Sequence, residues 1–285
     1  MNDAELYHEH NSLQKRDAIE CLEEYAKKIR WKSCRGRVLD VGCGDGYVTI
    51  NVLRRLLPME VRQIVGCDVN REMVQFARKL YGGEEARFLV LDIGAPAPAH
   101  MHASFDHVFS SYVLHWIKQQ EIAFSNIYNL LDEGGDCLLV FLGHIQIFDI
   151  YRVLAKSNKW SSLLKDVDKF ISPYHDSKEP EKEVTRLMAQ TGFKNIKVQN
   201  KKKVFKYNNI DSLKKAVRVV NPFNIPKDLV EDYLEDYVEV LHSMNLVGLQ
   251  NNNVEESIIS NFEYGLIVDT SGRVLILSNG LNLEC

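Results

Sequence analysis

Three carboxylates, each at the carboxyl end of an apolar run, and one glycine turn are the groups whose types and spacing bear on chemistry. VLDVGCGDGYVT, Val38 to Thr49, sets Asp40 ahead of Gly42, Gly44 and Gly46. Glycine costs backbone entropy in strand and helix alike, so alternate glycines at a strand-to-helix junction mark a turn where backbone approaches a ligand and aims amide groups at it. A dinucleotide fingerprint needs its third glycine three positions after the second, and Tyr47 occupies that position. Asp40 puts a carboxylate beside the turn, favouring a cation such as the ammonium group of an amino acid. Asp68 follows the turn by about 20 residues, where a carboxylate either accepts both hydroxyls of a ribose or caps the next helix. Asp92, in LVLDI, either accepts from the exocyclic amine of adenine, with Val69 and Ile93 against the ring faces, or caps a loop.

The elements that must position these residues follow from periodicity. Apolar runs predict strands at 37–41, 63–69, 86–93 and 105–112, and a fifth from Gly134. Helical patterns fall at 13–29, 48–57, 72–80 and 119–131. This alternation, with near-continuous apolar strands such as CLLVFL, predicts an α/β fold: a doubly wound, mostly parallel seven-stranded sheet covered by helices on both faces. Ligands of such sheets bind beyond the carboxyl ends of the strands. Further on, helices are expected within 147–169, at 181–190, and at 210–220 and 227–244, with NPFNIP between the last two. A strand is expected at 196–207 and short strands at 264–268 and 273–277, separated by a DTSG turn. The expected organisation is one domain over 1–285, with a helical cap at 1–30, a core at 31–143, and insertions at 144–180 and 208–262 forming a lid. The first helix must end at the opposite edge of the sheet to feed strand one, so Gln14, near its start, is placed at the ligand edge.

Composition narrows the function classes. The chain has 285 residues, 45% hydrophobic and 26% charged, which is ordinary globular composition. A net charge of −4 gives no basic footprint for phosphates, so no nucleic-acid partner is expected. Lys201, Lys202 and Lys203 read as a solvated strand or a docking patch. Cys21, Cys34, Cys43, Cys67, Cys137 and Cys285 lack zinc-ligand spacing and suit a reducing compartment. No apolar run approaches the roughly 20 residues of a membrane span, so a soluble, cytoplasmic protein is expected, with a homodimer as one candidate assembly.

The three strand ends together resemble the cofactor site of class I S-adenosylmethionine-dependent methyltransferases. That resemblance implies Asp40, Gly42, Gly44 and Gly46 at the methionine part of S-adenosyl-L-methionine, Asp68 at its ribose, and Asp92, Val69 and Ile93 at its adenine, with Ser110 also among the cofactor-binding residues. YHEHNSLQKRDA, the FDHVFSSYVLHW segment with His115 and Trp116, IYNLLDEGGDCLLVF and IFDIYR are similar to insect juvenile hormone acid O-methyltransferases over roughly the first 155 residues. Asp45 departs from the class, many of whose members carry an uncharged residue between the second and third glycines.

The family resemblance implies methylation of the carboxylate of juvenile hormone acid or farnesoic acid. A carboxylic acid of pKa roughly 4 to 5 is already ionised at neutral pH, so no general base is required. The resemblance puts Gln14 and Trp116 at that carboxylate, where an amide and an indole N–H can donate. His115 is either a base suited to an alcohol or amine acceptor or a structurally satisfied residue. Tyr7, Phe141, Phe148, Ile150, Tyr151, Trp160 and Phe223 are expected to line the apolar substrate pocket. No metal is expected.

Overall fold

The computed structural model describes residues 3–25, 29, 31, 36–58, 61, 63–244 and 258–271, the last segment in backbone only. Its sheet is built from β1 (Arg37–Val41), β2 (Gln63–Asp68), β3 (Ala86–Val90), β4 (Phe105–Ser111), β5 (Leu131–Val140), β6 (Leu142–Ile145), β7 (Lys197–Tyr207) and β8 (Ile258–Ser271). The first five are parallel neighbours in the order β3-β2-β1-β4-β5. β8 runs antiparallel between β5 and β7. β6 also pairs with β8, and its register continues that of β5. β6 is therefore an extension of β5, and the fold is the doubly wound sheet that the sequence predicts.

The reversal of strand order at β1 and β4 opens a crevice beyond their carboxyl ends. Helices cover both faces. α1 (Ala4–His10) and α2 (Ser12–Tyr25) replace the single predicted N-terminal helix, with Asn11 between them. The glycine turn feeds a π-helical stretch, Val48–Leu53, which runs into the short α3 (Arg54–Leu56). α4 (Arg71–Tyr81) is started by Asn70, whose side chain accepts from the backbone of Glu72 and Met73. α5 (Gln120–Leu130) and α6 (Gln146–Lys156) follow. α7 (Pro180–Thr191) begins on a proline and stops at Gly192, whose φ of +115° suits a helix terminus.

α8 (Ile210–Val220) carries an Asn209–Ser212 capping box and ends before Asn221 and Pro222. α9 (Val230–Ser243) packs on α6 and α8. Two expectations need correction. DTSG is no turn, because Asp269 to Ser271 belong to β8, and the predicted second insertion overlaps that strand from Ile258 onward. The predicted strand at 273–277 lies outside the described residues.

The lysine run resolves into paired side chains. Lys201 meets the Glu24 carboxylate at 2.6 Å, and Lys203 pairs with Glu20, so β7 is tied to α2. Arg16 adds a guanidinium donor to the Val204 carbonyl at 2.8 Å and stacks over Phe205. Cys21, Cys43, Cys67 and Cys137 are free and buried. Among the described residues, no helix is long and apolar enough to cross a membrane.

Candidate active site

A cavity of about 540 Å³ lies at the crevice, bounded by the ends of β1, β2 and β4, by α1 and α2, and by the helices after β5 and β7. At its sheet end the glycine turn is locked by two amides, Gly42 and Cys43, donating to the Cys67 carbonyl at 2.7 and 2.9 Å. Gly42, Gly44 and Gly46 have φ of +75°, +52° and +78°, a region that favours glycine. Gly42 and Gly44 line the cavity, and a Cβ on Gly42 would fall 1.9 Å from the Val113 side chain.

Gly46 does not line it. Its bare Cα lets α4 and β3 approach, since a Cβ would stand 2.9 Å from Ala77 and 3.1 Å from Phe88. Gly46→Ala is therefore expected to cost about 2 kcal/mol through backbone strain and overpacking. A lowered urea midpoint would register this, and an unchanged midpoint would refute the packing role.

Asp68 and Asp92 both line the cavity. Asp68 is not the helix cap, a role that Asn70 takes. Its oxygens accept from the amides of Gly44 at 3.0 Å and Asn70 at 2.8 Å, bracing the turn. Desolvation by burial raises its pKa. Asp92 accepts from the Gly94 amide at 2.8 Å through one oxygen. Val69 and Ile93 flank the two carboxylates, and Val69 is 64% exposed, an apolar face open at the cavity. Ser111 also lines it, with a buried hydroxyl that has no hydrogen-bond partner among the described residues.

Asp40 and Ser110 point elsewhere. Asp40 is buried behind the turn outside the cavity lining, accepts from the Thr49 hydroxyl at 2.6 Å, and has its pKa pushed up to about 7, chiefly by desolvation. Ser110 donates to the Val41 carbonyl at 3.0 Å. Side chains alternate along a strand, so facing the cavity falls to Ser111.

Asp45 is a site residue that the sequence reading underrated. It is buried, and its carboxylate takes His8 Nδ1 at 2.7 Å, the Asn11 amide at 3.2 Å and the Tyr47 backbone N–H at 3.0 Å. These contacts clamp α1 over the glycine turn and bring Tyr7 into the lining, where the Tyr7 ring lies against Gly44.

Gln14, from α2, and Trp116, from the turn Leu114–Trp116 after β4, both line the cavity. Neither side-chain amide nor indole N–H has a hydrogen-bond partner among the described residues. A buried hydrogen bond from the Tyr112 hydroxyl to Asp17 joins the elements that carry them. Tyr112 adopts φ +63°, an uncommon conformation for a non-glycine residue.

His115 is buried between Tyr112 and Trp116, its Nδ1 accepting from the Leu142 amide at 3.3 Å. Burial pulls its pKa down to about 3. A folded pKa below the ordinary 6.5 means that this residue's stability contribution is complete above pH 6.5 and is lost as pH falls toward 3. The expected loss from this one group is about 2 kcal/mol between pH 7 and pH 5. Comparing unfolding of wild type and His115→Gln over that range isolates the contribution; parallel curves would refute it.

Of the apolar residues expected in the pocket from this part of the chain, Phe148 and Ile150 line it, and Phe148 packs edge-on to Trp116. Phe141, Tyr151, Trp160 and Phe223 do not. Phe141 faces the opposite side of the sheet against Tyr174. Tyr151 and Phe223 pack on each other behind the wall. Trp160 is held in the core by its indole N–H donating to Asp236 at 2.6 Å. The rest of that wall comes largely from aliphatic positions of α6, α8 and α9, including Ile147, Leu213, Val217 and Leu241. Outside the cavity, His144, Asp149 and His175 cluster, with His175 Nε2 2.9 Å from Asp149 and the imidazole rings stacked 4° from parallel.

The family described as "Methyltransferase domain" matches residues 38–135. Among solved structures, the YcgJ protein of Bacillus subtilis superposes with a TM-score of 0.56 at 18% identity, covering 89% of this chain and 98% of its own. Fold and site together define a class I, S-adenosylmethionine-dependent methyltransferase. At the sequence level, juvenile hormone acid O-methyltransferase of Bombyx mori is 52% identical over 98% of this chain and 99% of its own length. The protein of the same description from Drosophila melanogaster is 39% identical over 100% and 96%. The chain belongs to the juvenile hormone acid O-methyltransferase family.

Proposed function

We propose that this enzyme methylates the carboxylate of an apolar terpenoid acid, juvenile hormone acid or farnesoic acid, to give its methyl ester. The observation that carries the reading is the pair of unengaged N–H donors, Gln14 and Trp116, presented to one cavity whose remaining wall is largely apolar. The names of the two full-length relatives support it. A net charge of −4 favours a small-molecule acceptor over a nucleic acid.

The residues fit S-adenosyl-L-methionine. Asp68 lies where ribose hydroxyls can donate to it, Asp92 retains acceptor capacity for an exocyclic amine, the exposed Val69 offers a face to a purine, and Gly42 and Gly44 leave room for close backbone approach. When bound, it supplies an electrophilic methyl group on a sulfonium. Gln14 and Trp116 donate to the acceptor carboxylate, replacing its water with fixed N–H groups and orienting one oxygen. Phe148 and the aliphatic wall exclude water from it. Such positioning is worth up to about 7 to 11 kcal/mol of barrier.

An alcohol or amine acceptor would need a base. His115 cannot serve, because the lone pair on its neutral ring is already engaged by the Leu142 amide, leaving an N–H at Nε2. Incubation with methyl-labelled S-adenosylmethionine and a panel of farnesoid and fatty acids, alcohols and amines tests the reading. Labelled methyl ester is the expected product; label confined to alcohols or amines would overturn it.

A further inference from the structure

Four tyrosines gather where β7, α6 and α9 meet, beside a largely apolar stretch of the cavity wall. Tyr207 and Tyr237 line the cavity itself, and Tyr151 and Tyr233 stand behind them. The Tyr151 and Tyr237 rings are 6.4 Å apart. The hydroxyls of Tyr151 and Tyr233 are buried with no hydrogen-bond partner among the described residues, although unpaired buried polar atoms are costly. Tyr207 and Tyr237 likewise have no side-chain hydrogen bond among those residues. Burial drives all four away from ionisation, and Tyr151 is raised further by the nearness of Tyr233, Tyr237 and Tyr207. Every hydroxyl in the group is therefore a protonated donor. The neighbouring charges are Arg16 and Asp17, within electrostatic reach of Tyr207, and Asp17 is already engaged by Tyr112 and Arg16.

None of the four belongs to the glycine turn or to the loops carrying Asp68 and Asp92. Their surroundings, Leu213, Val217 and Leu241, suit a hydrocarbon chain, for which phenol donors would be a liability. We propose that Tyr207 and Tyr237, backed by Tyr151 and Tyr233, form a donor station that recognises an ether-type oxygen, such as an epoxide, on the tail of the acid. This inference rests on the carboxyl-methylation reading and narrows it, because it distinguishes an oxygenated acid from its plain hydrocarbon counterpart.

Calorimetric titration of the full chain, saturated with S-adenosylhomocysteine, with farnesoic acid and with its terminal epoxide provides the test, alongside kcat/KM for each acid. Wild type is expected to bind the epoxide more tightly, and Tyr237→Phe and Tyr207→Phe are each expected to cut that preference about three- to tenfold, the effect of one neutral hydrogen bond. Retained binding of S-adenosylhomocysteine confirms that each variant is folded. Equal affinity of wild type for the two acids, or an unchanged preference in both variants, would mean that water alone satisfies these hydroxyls and would overturn the proposal. An epoxide preference in binding without any methyl ester would instead strike the carboxyl reading and leave the donor station standing.

Discussion

Gln14→Ala and Trp116→Phe are each expected to lower kcat/KM for the terpenoid acid by roughly 10- to 100-fold while affinity for S-adenosylmethionine stays near wild type. The size follows from removing one N–H donor to a charged oxygen in a cavity from which water is excluded, a loss of about 1.5 to 3 kcal/mol. Trp116→Phe keeps the ring that packs edge-on to Phe148, so the comparison with Trp116→Ala separates the indole N–H from its packing. The two donors address one carboxylate, and the double variant should lose less than the sum of the single effects. Steady-state kinetics with a titration of the methyl donor decides the matter. Full activity in both single variants would remove these residues from the chemistry, as would a matching loss of donor affinity.

Asp68→Asn is the second large effect. The substitution preserves size but presents an NH₂ group in place of a carboxylate oxygen, so it disrupts both the acceptance from ribose and the hold on the Gly44 and Asn70 amides. Losing two charge-assisted hydrogen bonds predicts donor affinity down about 100-fold. Because Asn70, and not Asp68, caps α4, the helix should survive and circular dichroism should change little. Unaltered donor binding by Asp68→Asn would exclude the ribose assignment.

How much of this was legible beforehand depended on whether a local rule or a tertiary choice decided the matter. Strand ends and the glycine turn obey local rules, so Gly42, Gly44, Asp68, Asp92, Val69 and Ile93 could be placed at one edge from spacing alone. Gly46 and Asp40 share the motif yet face the opposite way, because the turn rotates successive residues between ligand and core. Ser110 was misplaced by one residue; β4 alternates, so Ser110 shares its face with Val108 and Ser111 takes the other with Phe109, and a strand buried on both faces does not show in sequence which face meets the cavity.

The aromatic expectations fared worst, with Phe148 alone among the four residues 141, 148, 151 and 160 reaching the cavity. A helix that buries several faces leaves no sequence signal for which aromatic faces a ligand and which faces another helix. Asp45 was visible as a departure from the class, but the partners that give it meaning, His8 and Asn11, are more than 30 residues away. The break between α1 and α2 hid that relation, since one continuous helix would not have turned back over the glycines.

The hydrogen bonds and ion pairs between α2 and β7 also bear on fragments of this chain. Glu20, Glu24 and Arg16 anchor to Lys203, Lys201 and the Val204 carbonyl, so the segment bearing Gln14 rests on a strand synthesised more than 170 residues later. A nascent or proteolysed polypeptide ending before position 197 would retain the five parallel strands and the Asp68 and Asp92 loops, yet its N-terminal helix would have no rail to lie on. Capacity for the methyl donor and capacity for the acid are thereby acquired at different moments of synthesis, the second only when the last third of the chain has emerged.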